Sequence, residues 1–285
     1  MATVSEIITE GKARLAEAPI QCHDPLLHMK QIAELALGLD SSQLYLKWEE
    51  DIPATGLQRI AGVLDRRLLG EPFQYIAGYE WFWKSKFEVG SGVLIPRRET
   101  EQIVEFLLET SLPNTARVAE LGAATGNIGI SVLLERPRWE WFGFELNSQS
   151  IPFLELNRGK LLPNEARYHI NPGDFFALAP FIGPYDVIVS NPPYVARSEL
   201  QNLPLEVQHE PLMALDGGER GLEVIERLVQ ETPGYLKPGG QLVFEIGSTQ
   251  AEAVVRLLQA GPLEGIQVLE DYSKHPRMAV ARKRH

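Results

Sequence analysis

From about residue 100 onward the chain alternates short apolar runs with stretches of helical periodicity, and this alternation limits its fold more than any other feature. A helix is expected after Thr100, with Ile103, Val104, Leu107 and Leu108 on its buried side. Strands are expected at 117–121, 140–144, 167–171, 185–190 and 241–246, with closing strands near 265–270 and 277–282. Helical patterns fill 126–135, 148–160, 220–231 and 248–259. Alternation of this kind implies an α/β fold: a mostly parallel sheet of seven strands with helices on both faces. Ligands of such sheets bind outside the carboxyl ends of the strands. Those ends are therefore where function should be read.

The first 75 residues carry helical spacing alone. Val4, Ile7 and Ile8 share a helical face, and Asp24-Pro25 supplies a cap and a first-turn proline ahead of Leu26, Leu27, Ile32, Leu35 and Ala36. Leu57, Ile60, Ala61, Leu64 and Leu68 repeat at helical spacing, with Arg66 and Arg67 in the last turn and Gly70 beyond it. Residues 1–75 thus form a small all-α bundle without a catalytic set, and Cys22-His23 within it reads as structural. "GEPFQYIAGYEWFWKSKFEVGSGVLIP" adds aromatics, glycines and β-type runs, giving a hairpin-like linker over 76–95 and leaving 96–285 as the α/β domain.

Composition narrows the class. With 44% hydrophobic and 23% charged residues among 285, the chain reads as an ordinary soluble globular protein. Its N-terminus mixes acids with apolar residues and has no signal-peptide h-region. No apolar run approaches the roughly 20 residues that span a bilayer. Cys22 is the only cysteine, so no intrachain disulfide can form and a cytoplasmic setting is expected. A formal net charge of −11 argues against sequence-independent nucleic-acid binding, and the "ARKRH" tail reads as a solvated chain end. The six histidines show no metal-ligand spacing, so no metal is expected. A monomer that binds no membrane is expected.

Four strand ends carry chemistry. The first runs from Glu120 into Gly122-Ala123-Ala124-Thr125-Gly126 and then a helix. Glycines there let a ligand approach the backbone. The spacing is not GxGxxG, and an acid beside the loop suits an ammonium group better than a pyrophosphate; a plain strand–helix turn fits the same residues. The second strand ends in Glu145, placed to accept both hydroxyls of a ribose, although an isolated acid there also reads as a solvated turn residue. The third leads to Asp174 and Phe175, which suit an adenine amine and ring, or a helix cap and a core aromatic. The fourth ends in Asn191-Pro192-Pro193-Tyr194. Its prolines fix φ and remove two N–H donors, which leaves a rigid edge of acceptors with Tyr194 as a flat wall. Together these groups describe a ligand with an amine, a ribose and an adenine, beside a grip for a planar NH₂. That ligand is S-adenosyl-L-methionine.

The set Glu120 to Gly126, Glu145, Asp174 and Asn191-Pro192-Pro193-Tyr194 resembles the class I amino-methyltransferase motifs. "GEPFQYIAGYEWF" (70–82), "VLIPRRETE" (93–101), "EPLMALDGGERGLEVIERLV" (210–229) and "LKPGGQLVFEIG" (236–247), with Asp271 and Arg277, are similar to the HemK/PrmC family of release-factor glutamine methyltransferases. The resemblance covers nearly the whole chain. It implies a Rossmann-like methyltransferase domain, a helical domain that recognises the release factor, and methyl transfer to the glutamine amide of the release factor's Gly-Gly-Gln tip. Asn191 Oδ1 and the Pro192 carbonyl would take the two amide hydrogens, Pro193 and Tyr194 would line the substrate, and Arg97 would serve as a substrate or structural clamp, or as a surface ion-pair residue. Departures from the family pattern are Ala124 for glycine, Glu for Asp at 120 and 145, Arg98 for proline, and Phe175 where tryptophan is often found. Rival readings are methylation of an exocyclic amine in DNA or ribosomal RNA, since the same tetrapeptide serves adenine N6 enzymes, and a non-catalytic cofactor-binding module.

Overall fold

The structure, a computed structural model, describes residues 2–162 and 165–284 in two compact units. The first comprises the chain through Gly78 together with Asn202–His209. Its helices are α1 (Val4–Glu17), α2 (Pro25–Leu37), α3 (Ser41–Leu46), α4 (Ala54–Leu68) and α5 (Phe73–Ala77). Asp24 caps α2 as its sequence suggests, accepting from the Leu27 N–H at 2.9 Å, with Pro25 in the first turn. Ile8, Leu15, Met29, Ile32, Ile60 and Leu64 are buried at its centre.

The second unit spans Tyr79–Gln201 and Glu210–His285. Strands β1 (Tyr79–Phe82) and β2 (Ser85–Glu88) pair as an antiparallel hairpin. There follow α6 (Glu101–Glu109), β3 (Arg117–Leu121), α7 (Asn127–Glu135), β4 (Glu140–Glu145), α8 (Ile151–Leu161), β5 (Tyr168–Pro172), α9 (Phe175–Ile182) and β6 (Tyr185–Ser190). After α10 (Leu205–Gln208), which belongs to the first unit, come α11 (Glu223–Glu231), β7 (Leu236–Glu245), α12 (Ala251–Ala260), β8 (Leu263–Glu270) and β9 (Pro276–Lys283). The seven strands lie in the order β5-β4-β3-β6-β7-β9-β8, with only β9 antiparallel to its neighbours.

Alternation along each strand feeds two cores. Val118, Trp141, Val187 and Val189 pack on one face with Ile103 of α6, Ile128 of α7 and Leu154 of α8. Ala119, Phe144, Ile188 and Phe244 pack on the other with Phe175 of α9, Leu228 of α11 and Val254 of α12. Successive side chains of a strand point to opposite faces, so a strand buried on both reads as an unbroken apolar run.

The units divide differently from the boundaries at 75 and 95 read from sequence. The hairpin is part of the second unit, because Asn157 of α8 accepts from the Glu88 N–H at 2.7 Å and donates to the Glu88 carbonyl at 3.1 Å. Residues 202–209 join the first, because Arg67 is not a solvated helix-end charge. It is 3% exposed and donates to Glu206 at 2.5 Å, to His28 Nε2 at 2.9 Å and to the Gln21 carbonyl at 3.1 Å. Much of the basic tail is strand: Ala281 is buried in β9 and Lys283 donates to the Leu236 carbonyl at 2.8 Å, while His285 lies outside the described residues. Among the described residues, no helix is long and apolar enough to cross a membrane.

Candidate active site

A cavity of about 470 Å³, wholly within the second unit, opens where β3, β4, β5 and β6 end. Its volume falls in the range of small-molecule sites, roughly 300–1,000 Å³. It sits between β3 and β6, whose connections run to opposite sides of the sheet, towards β4 and β7, the switch point at which such sheets bind ligands.

The loop after β3 contributes Gly122 and Ala124 to the wall. Both have positive φ, 72° and 47°. A Cβ on Gly122 would meet nothing nearer than the Asn191 carbonyl at 4.0 Å, so a ligand can approach the bare backbone there. Ala123 and Thr125 point back into the protein and are fully buried, and Gly126 caps α7 with φ 79°. These three hold the turn's shape and stay out of the wall.

Glu145 ends β4 in the wall, with Oε2 accepting from the Ala124 N–H and Oε1 from the Asn147 N–H, both at 2.7 Å. Burial pushes its carboxyl pKa up, against the opposing pull of these N–H groups. Each carboxylate oxygen keeps a further lone pair for a hydroxyl. Asp174 Oδ1 accepts from the Phe176 N–H at 3.0 Å, and Oδ2 takes the Arg227 guanidinium at 3.2 Å. The cap reading of Asp174 is therefore true, and it lines the cavity as well. Phe175 does both too: it packs edge-on to Phe144 at 4.9 Å between ring centroids and lines the wall.

Glu120 lies elsewhere. It shares a strand face with Val118, and its Oε2 accepts from Trp141 Nε1 at 2.7 Å and from the Tyr168 hydroxyl at 3.2 Å. At 1% exposure and outside the cavity wall, it does not meet a ligand's ammonium group. Burial raises its pKa to about 8.

After β6, Asn191, Pro192 and Pro193 line the cavity. Asn191 Nδ2 donates to Thr100 Oγ1 at 3.0 Å, and among the described residues its Oδ1 has no hydrogen-bond partner. Tyr194 is set back from the wall, its hydroxyl donating to Glu245 Oε1 at 3.0 Å. Arg97 is also outside the wall and pairs with the buried Glu210, which accepts from the Ile95 N–H at 3.0 Å. This is the structural-clamp alternative for Arg97. Leu146, Asn147, Phe176, Met213, Glu223 and Arg227 also line the wall, and none of them is among the residues the sequence points to. Two of them, Leu146 and Phe176, directly follow Glu145 and Phe175. Among the described residues, no group of three or more His, Cys, Asp or Glu is placed to hold a metal ion.

The PrmC N-terminal domain family matches residues 6–78 and the Methyltransferase small domain family matches 86–209. Along the full length, the chain is 35% identical over 285 residues to the release factor glutamine methyltransferase of Moorella thermoacetica, covering 99% of each protein. The chain belongs to the release factor glutamine methyltransferase family. The enzyme of that name from Caulobacter vibrioides is 32% identical over 283 residues, with 99% of this chain and 96% of that protein covered. A methyltransferase from Pyrococcus furiosus shares the fold, with a TM-score of 0.50 at 14% identity over 70% of this chain and 89% of that one. As a member of the release factor glutamine methyltransferase family the chain is an S-adenosyl-L-methionine-dependent enzyme. The wall fits that cofactor: a bare backbone at Gly122, a fixed carboxylate at Glu145, and aromatic and acidic groups at Phe175 and Asp174.

Proposed function

We propose that the cavity holds S-adenosyl-L-methionine with its ribose at Glu145 and its adenine between Asp174, Phe175 and Phe176, and that Asn191 and Pro192 present the glutamine amide of a release factor's Gly-Gly-Gln tip. When bound, the cofactor supplies an electrophilic methyl carbon. An amide nitrogen is a poor nucleophile because resonance delocalises its lone pair. Asn191 Oδ1 and the Pro192 carbonyl accept its two hydrogens, orient it, and stabilise the positive charge that develops on nitrogen. No general base is assigned. The observation that carries this reading is Asn191 on the cavity wall: its nitrogen is tied to Thr100, and among the described residues its amide oxygen has no hydrogen-bond partner.

The helical first unit is the release-factor recognition element in this reading, supported by its match to the PrmC N-terminal domain. The enzyme acts as a cytoplasmic monomer without direct nucleic-acid contact. Labelled cofactor supplied with release factors, intact or with the tip glutamine replaced, tests the assignment. Label should enter only the intact protein; label entering DNA or ribosomal RNA instead would favour the rival substrates. Asn191→Ala should lower kcat by about 10²–10³, by analogy with lost oxyanion-hole donors, while calorimetry shows cofactor affinity kept.

A further inference from the structure

Glu245 is the last residue of β7, the strand beside β6, and is 2% exposed. The proposed chemistry gives it no task. Its Oε1 accepts from the Tyr194 hydroxyl at 3.0 Å and its Oε2 from the Thr100 hydroxyl at 2.6 Å. Thr100 is equally buried, in the short 3₁₀ turn Arg98–Thr100 that leads into α6.

A hydroxyl has one hydrogen. With that hydrogen on the Glu245 carboxylate, Thr100 Oγ1 can only accept, and Asn191 Nδ2 lies 3.0 Å away to donate. An amide that gives its NH₂ to Thr100 turns its oxygen the other way. We infer that Glu245 and Thr100 are positioning residues for methyl transfer: the carboxylate sets the direction of the Thr100 hydrogen, and Thr100 thereby holds the Asn191 amide oxygen towards the substrate nitrogen. The inference rests on the acceptor role given to Asn191 above.

The chain of bonds has a second, inactive polarity. A protonated Glu245, or a glutamine in its place, donates to Thr100 Oγ1 and frees the Thr100 hydrogen to point at Asn191. The amide then turns over and presents NH₂ to the substrate's NH₂, donor against donor. Burial pushes the Glu245 carboxyl pKa up, while Thr100, Tyr194 and Arg277 pull it down and Glu99 pushes it up again. Its folded pKa stays above the ordinary value, so kcat should fall as pH drops through it.

The test compares kcat, KM for the release factor and cofactor affinity in Thr100→Val, Thr100→Ser and Glu245→Gln. Thr100→Val should lower kcat about 10–100-fold, the scale of lost outer-shell partners, with KM and cofactor affinity unchanged. Thr100→Ser, which keeps the hydroxyl, should restore most of the rate. Glu245→Gln should be slow and lack the wild-type acid limb. Wild-type kcat in Thr100→Val, or a serine variant as slow as the valine one, would overturn the inference. Should the valine variant fail to bind cofactor, Glu245→Gln decides alone, and a wild-type rate and pH profile there sink the idea. Wild-type enzyme inert towards release factors would count against the substrate assignment instead.

Discussion

Ala124 holds φ at 47°, a left-handed conformation that costs an L-residue roughly 1–2 kcal/mol. Its N–H is one of two that fix Glu145. Ala124→Gly should therefore stabilise the protein by about 1 kcal/mol, read as a rise in the urea midpoint; a lower midpoint would show that the methyl group packs usefully. Glu120 gives a pH signature. Its pKa is about 8 in the fold against 4.5 as the reference value, so between these the unfolded chain binds fewer protons and stability falls as pH rises. Each pH unit crossed costs up to about 1.4 kcal/mol. Glu120→Gln should match wild type near the acid end of that window and exceed it in stability above the upper end; parallel stability curves would refute the buried neutral carboxyl. That Glu120 faces the core was legible in outline, since the period-2 rule puts it with Val118. Its partners Trp141 and Tyr168 were not, because they come from other strands.

Among the elements, the segment 210–222 supports the Asn191-Pro-Pro-Tyr194 loop from below. The Gly217 N–H donates to the Val195 carbonyl at 2.9 Å, and a Cβ on Gly217 would stand 2.8 Å from Tyr194 Cα and 2.9 Å from the Pro193 carbonyl. Backbone cannot yield as a flexible side chain does. Gly217→Ala should displace the Pro192 and Pro193 carbonyls and lower kcat at least about 10-fold, since small misplacements cost that much or more; undiminished turnover would show that the loop tolerates movement. Most strands and helices fall within a few residues of their sequence-based positions. Helix α9 has no counterpart among the expected helices, because Asp174 suits a cap and a binding acid alike. β7 begins at Leu236, ahead of the expected 241, because its Lys-Pro-Gly-Gly stretch reads as a turn yet runs beside β6 through a register shift.

At the scale of the whole molecule, a chain segment between two parts of the α/β unit returns to the helical one. Arg67 and Glu206, 139 residues apart, meet there with little water. Glu206→Ala should destabilise the helical unit by about 3 kcal/mol, because breaking a buried pair leaves a charge uncompensated; urea unfolding would report it, and a change within error would mean that His28 and Gln21 suffice. The sequence alone determined the α/β class, the helical start and the strand ends that line the cavity, because periodicity and strand-end chemistry are local properties. Tertiary structure alone decided that Tyr194 and Arg97 stand back from the cavity, that Trp141 and Tyr168 meet Glu120, and that Glu245 and Thr100 stand behind Asn191. Those placements depend on which distant residues share a hydrogen bond, and a hydrogen bond's direction follows from the partner at its far end.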